Sequence, residues 1–170
     1  GLTDTEQKEV KRRTRPGAVV IHEAIREEGE RELRRPVSAL AWSGLAAGLS
    51  TGFSLVTEGL IHASLPDEPW RPLLTKIGYT VGFLIVILGH QQLFTENTLT
   101  PVLPLLNKRN VSTLRRLLRL WAVVLVGNLV GAFLFAWVLG HTEVFKPEVR
   151  HAFTDISLKS MEGGFWIHLL

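Results

Sequence analysis

From position 37 to position 57 the chain reads VSALAWSGLAAGLSTGFSLVT, 21 residues without one Asp, Glu, Lys or Arg. A helix rises about 1.5 Å per residue, so about 20 such residues cross the hydrocarbon core of a bilayer. Two further stretches are long and apolar enough, each with a single charged residue: LLTKIGYTVGFLIVILGHQQLF at 73–94, with Lys76, and LLRLWAVVLVGNLVGAFLFAWVL at 117–139, with Arg119. The first extends to Leu65, and GGFWIHLL at 163–170 reads as the start of a fourth. Charge is segregated from these runs, the first 36 residues holding nine of the 19 Lys/Arg and eight of the 16 Asp/Glu. The expected fold is all-α, an integral membrane helical bundle at 37–170 behind a charged segment at 1–36. That segment is too long and too charged for the n-region of a signal peptide.

Several function classes fall away. With no cysteine, disulfides, thiol chemistry and Cys-based zinc sites are excluded. No nucleophile constellation, phosphate loop or cluster of metal ligands stands out, so no enzyme, cofactor or metal site is expected. The net charge of +3 does not form a nucleic-acid footprint, because the basic residues are balanced locally by acids or sit beside apolar spans.

Short cytoplasmic segments of membrane proteins carry the excess of Lys and Arg. Arg26, Arg31, Arg34 and Arg35 precede the first span, and Lys108, Arg109, Arg115, Arg116 and Arg119 lie at the link between the second and third. Arg71 and Lys76 are offset by Asp67 and Glu68. The N-terminus is therefore expected in the cytoplasm and the segment from His141 to Met161 outside. Trp70, Trp121, Trp137 and Trp166 fall near span ends, as interfacial aromatic belts require. After Pro16 the sequence predicts an amphipathic helix with a thin stripe of Val19, Val20, Ala24, Ile25 and Leu33. It either lies on a membrane or a neighbouring subunit, or stays solvated.

Small residues let helices approach in lipid. Gly44, Gly48 and Gly52 recur every fourth residue, as do Gly78 with Gly82 and Gly127 with Gly131. Three helices do not readily enclose a pore, which points to further helices, an oligomer or both. Polar residues within spans are functional candidates. Glu58 and His62 can pair on one helix face or reach water at the interface; Asn128 fits either an interhelical hydrogen bond or a substrate contact. His90 fits a proton carrier or a satisfied polar side chain.

The stretch HQQLFTENTLTPVLPLLNK at 90–108 differs from these single residues. Its polar run ends in Pro101 and Pro104, which a regular helix does not accommodate. Two readings stay open: a broken helix whose irregular backbone lines a cavity, or an ordinary cytoplasmic loop beyond a span that ends at Phe94.

Followed by a basic link and WAVVLVGNLVGAFLFAWVL, this stretch resembles the formate/nitrite transporter family, most closely an inner-membrane branch of it, over residues 19 to 170. The match covers the first half of the family's six-helix protomer. The resemblance implies an aquaporin-like bundle with a broken second helix, a homopentamer with one pore per protomer, and a bacterial inner (plasma) membrane location. It implies transport of a small monovalent anion or its neutral weak acid. Leu93, Phe94 and Thr95 resemble the family's omega-loop motif, with the Thr95 hydroxyl facing the pore. Tyr79 and Phe83 match positions lining its hydrophobic constrictions, and Lys159 resembles the basic residue that draws anions to the periplasmic vestibule. The family's central histidine belongs to the fifth helix, and none of the six histidines here matches it. Glu96 and Asn97 stand where better-known members carry small residues, and Gln92 replaces an acid. An acid near the path disfavours a monovalent anion by like-charge repulsion, which favours a second possibility, a non-transporting structural or stress-response protein on the same scaffold.

Overall fold

The computed structural model describes Thr3 and residues 17–161. The expected fourth span at 163–170, with Trp166, lies outside the described residues, as does much of the segment before Pro16. Among the described residues the regular structure is all helical: α1 (Ala18–Arg34), α2 (Val37–Ser64), α3 (Arg71–Ile77), α4 (Thr80–Leu88), a single 3₁₀ turn (Glu96–Thr98), α5 (Val102–Lys108), α6 (Val111–His141) and α7 (Pro147–Met161). Three stretches are long and apolar enough to cross a membrane, Val37–Ser64, Arg71–Leu88 and Val111–His141. Side chains left uncovered on α6, such as Val126, Leu129, Phe133 and Trp137, are apolar, as a lipid-facing surface requires. This is a membrane protein.

Two compact units form. One holds residues 1–36 and 95–121, the other 37–94 and 122–170.

In the first unit α1 packs on α5. Gly29 permits the approach: a Cβ there would lie 3.0 Å from the Pro104 ring. Lys108 Nζ meets Glu30 Oε1 at 2.9 Å, and Glu30 also pairs with Arg26 and Arg34. The Lys108 hydrogen bond, helped by Arg26, holds the Glu30 carboxyl below its ordinary value of 4.5. These contacts are therefore intact above that pH and are lost as pH falls through the lowered value. Of the expected apolar stripe only Leu33 is buried, whereas Val19, Val20 and Ile25 stay exposed. The docking contact comes from Gly29 and the ion pairs instead. Arg119 closes the helix end, its Nη2 donating to the carbonyls of Leu33 and Arg35 at 3.0 Å each, where a cation also suits the helix dipole.

In the second unit α2 is central and has two working faces. Its glycine stripe meets α6, Gly44 lying against Val124 and Gly48 against Asn128. Ser43, Ala47, Ser50, Ser54 and Glu58, spaced four, three, four and four residues apart, share another face. Ser50, Ser54 and Glu58 of this set are buried although polar.

The helix ends differ from those expected. The helical part of the 73–94 stretch stops at Leu88 and is interrupted at Gly78 and Tyr79, while α6 begins at Val111, ahead of Leu117. Asn110 explains the early start: its Oδ1 accepts from the Thr113 N–H at 2.7 Å, an N-cap that carries the arginines into the first turns.

Candidate functional site

The break after α4 is a built feature. Gln91 N–H donates to the Val86 carbonyl at 3.0 Å and His90 N–H to that of Ile87 at 3.1 Å, the paired bonds of a Schellman helix end. The left-handed position falls on His90, φ 46°, and not on the glycine before it. His90 thus turns the chain out of the helix.

Beyond the turn the backbone of Gln92, Leu93 and Phe94 is non-helical, so its polar groups need partners from elsewhere. Side chains supply them. Ser43 Oγ accepts from Gln92 N–H at 3.0 Å. Asn128 Oδ1 accepts from Phe94 N–H at 2.8 Å, while its Nδ2 donates to the Gly44 carbonyl at 2.8 Å and the Gln92 carbonyl at 2.9 Å. One amide therefore ties α2, the break and α6 together. Only this orientation fits, since a flipped amide would set its NH₂ against the Phe94 N–H. With both amide hydrogens engaged by protein, Asn128 acts as a staple of the break. The interruption at Gly78 and Tyr79 is held the same way: Ser54 Oγ donates to the Tyr79 carbonyl at 2.6 Å and accepts from Gly82 N–H at 3.1 Å. At the break the Gln91 Oε1 acceptor is buried with no hydrogen-bond partner among the described residues.

The residues singled out from sequence fall into three groups. Leu93 is buried with Ala47 and Val86, and Phe83 packs against them. The Tyr79 and Phe83 rings stand 5.2 Å apart, inclined at 46°, and Tyr79 is half exposed. These residues, with Phe94 and Asn128, are brought together in one unit. Thr95, Glu96 and Asn97 belong to the other. There Thr95 and Glu96 are exposed while Asn97 is buried, its carbonyl receiving the Trp121 indole N–H at 2.9 Å. Thr95, ahead of the 3₁₀ turn, makes no side-chain capping bond, but its carbonyl accepts from the Thr98 hydroxyl at 2.8 Å.

Lys159 stands apart from the break. It lines a recess of about 240 Å³ with His62, Pro72, Thr75, Lys76, Asp155 and Ser160. Beside this recess Glu58, expected either to pair with His62 or to meet water, is buried and pairs with Lys76, Nζ to Oε1 at 3.2 Å. A lone buried carboxylate would be costly, and the lysine offsets that cost. Sequence reasoning missed Ser43, Ser54 and Lys76. The signal for the serines was present in the spacing of small polar residues along one face of α2. That for Lys76 was an opposite charge 18 positions on, in a different helix.

A model of the formate/nitrite transporter family matches residues 19–170. Among related proteins the chain is 48% identical over 146 residues to the inner membrane protein YfdC of Escherichia coli (strain K12), covering 86% of this chain and 47% of that protein. It is 30% identical over 124 residues to the formate channel BtFdhC of Bacillus thuringiensis, covering 71% and 47%. It is 29% identical over 105 residues to the formate channel FocA of Haemophilus influenzae (strain ATCC 51907 / DSM 11121 / KW20 / Rd), covering 59% and 36%. The chain thus spans about half the length, or less, of these relatives.

Proposed function

The chain belongs to the formate/nitrite transporter family, and on that premise we propose that it supplies part of a channel or transporter for a small monovalent anion or its neutral acid. The observation that carries this reading is the stapled break. Non-helical backbone at membrane depth persists where protein buries it or where it lines a water-filled cavity, and here Ser43 and Asn128 hold it in a defined shape. Two relatives bear the name formate channel, which supports a small carboxylic acid as the substrate class.

In the proposed mechanism the recess at Lys159 and Lys76 concentrates the anion outside. Tyr79 and Phe83 form an apolar constriction that rejects the hydrated charge, and the Thr95 hydroxyl offers a hydrogen bond along the path, with Leu93 and Phe94 setting the break. Protonation lets the neutral acid pass, since desolvation is far cheaper without the charge. The protein is proposed to act without enzymatic chemistry, as a multi-pass homopentamer of the bacterial inner membrane with a cytoplasmic N-terminus. The second reading, a non-transporting protein on this scaffold, is favoured by Glu96, an exposed acid on the turn that follows the break.

Flux into proteoliposomes tests the proposal, with formate, nitrite and acetate as probes and the protein that carries this chain reconstituted whole. Thr95→Val and Phe83→Ala are each expected to change uptake several-fold. Unchanged uptake in both variants removes the assignment of those residues, and a folded protein that passes none of the probes supports the second reading.

A further inference from the structure

The first unit carries a cationic recess that the transport reading does not use. Leu33, Arg34, Arg116 and Arg119 line it, about 560 Å³ in volume and without an acidic lining residue. The three guanidinium groups differ in their engagement. Arg119 is fixed by its Nη2 bonds to the carbonyls of Leu33 and Arg35, and its Nε is buried with no hydrogen-bond partner among the described residues. Arg34 is largely exposed and, among the described residues, meets the Glu30 carboxylate alone, at 3.1 Å. That carboxylate is shared with Lys108 and with Arg26, which Glu23 also meets, so two carboxylates serve three cations. Arg116 is exposed. The charged residues that line the recess are all arginines, and an excess of one sign at a recess favours an ion of the other.

Position narrows the ligand. From Leu120 to Gly140 the chain has no ionisable residue, so the three arginines of the first turns of α6, Arg115, Arg116 and Arg119, stand where an apolar span begins. Guanidinium groups bind phosphoryl oxygens through paired N–H donors, and basic pockets at span ends suit anionic lipid headgroups.

We propose that Arg34, Arg116 and Arg119 form a binding site for a phosphoryl oxyanion, supplied by an anionic phospholipid headgroup at the membrane surface or by free phosphate. The bound group accepts from the exposed Arg34 and Arg116 guanidinium groups and offsets the Arg119 charge beside them. Lipid so held ties the end of α1 to the start of α6.

Native mass spectrometry of the delipidated whole protein tests this, with phosphatidylglycerol, phosphatidylcholine and inorganic phosphate as separate probes. Retention of phosphatidylglycerol over phosphatidylcholine, reduced about tenfold in the double variant Arg34→Gln with Arg116→Gln, supports the site and assigns it to lipid. Phosphate binding that the same variant abolishes supports the site with the free ion as its source. Both substitutions are at exposed side chains, so the fold survives them; Arg119→Gln, which also loses the helix-end bonds, is read beside them. Equal retention of every probe by parent and double variant overturns the proposal. Because the readout is retention and not flux, the site and the transport reading can fail separately.

Discussion

Asn128 is the residue on which the break depends. Its three hydrogen bonds engage the Gly44 carbonyl on α2 and the Gln92 carbonyl and Phe94 N–H of the non-helical stretch, and a buried backbone group left without its partner costs roughly 1–3 kcal/mol. Asn128→Leu, similar in size but unable to bond, is expected to destabilise the protein by about 2 kcal/mol, a value held down because interhelical bonds in membranes are individually modest. The unfolding midpoint in detergent measures this, and a midpoint equal to that of the parent would contradict the staple. His90 gives the opposite expectation. Its φ of 46° is one that glycine adopts without strain, so His90→Gly should hold or raise the midpoint. It should also leave flux unchanged, since His90 turns the chain; a folded variant that has lost flux would restore the proton-carrier reading.

Among the elements, α2 and α6 meet through backbone contact. A Cβ at Gly48 would stand 2.9 Å from the Asn128 Cα, whereas one at Gly140 would meet nothing within 4 Å. Gly48→Ala must push the helices apart and is expected to cost about 1–3 kcal/mol despite the better helix former. Gly140→Ala, in the same family of substitutions, should gain about 0.5 kcal/mol from helix propensity. Thermal unfolding of the two variants side by side checks the pair, and equal effects would mean that the stripe is not a contact. The existence of these helices was legible in the sequence because apolar runs of span length with almost no charge have few other uses. Their ends were not. The second run was expected to reach Phe94, but its helix stops at Leu88 and the left-handed residue that ends it is His90, not the Gly89 before it, and Asn110 starts α6 before its apolar character begins. The site was half legible on similar grounds: an amide in mid-span announces an interhelical bond, but its partners are backbone groups of a helix end that no residue type marks. The serines at 43 and 54 were readable as a face of α2 only once their spacing, and not their polarity, was taken as the signal.

For the molecule as a whole, family membership states what kind of protein this is, and the central claim is narrower: the break after α4 leads onto a water-accessible path that a small acid occupies. The chain contains no cysteine, so once any cysteine elsewhere in the whole protein is replaced by serine, one introduced thiol reports its own surroundings alone. Thr95 is exposed and Leu93 is buried against Ala47, Val86 and Phe83, which separates the two positions by burial although they are two residues apart. In the whole protein reconstituted in vesicles, Thr95→Cys and Leu93→Cys are treated with a charged, membrane-impermeant thiol reagent, with and without formate. The account predicts rapid labelling at position 95, slowed several-fold by formate, and little labelling at position 93. Equal labelling at both positions, or labelling at 95 that no small acid slows, would contradict it.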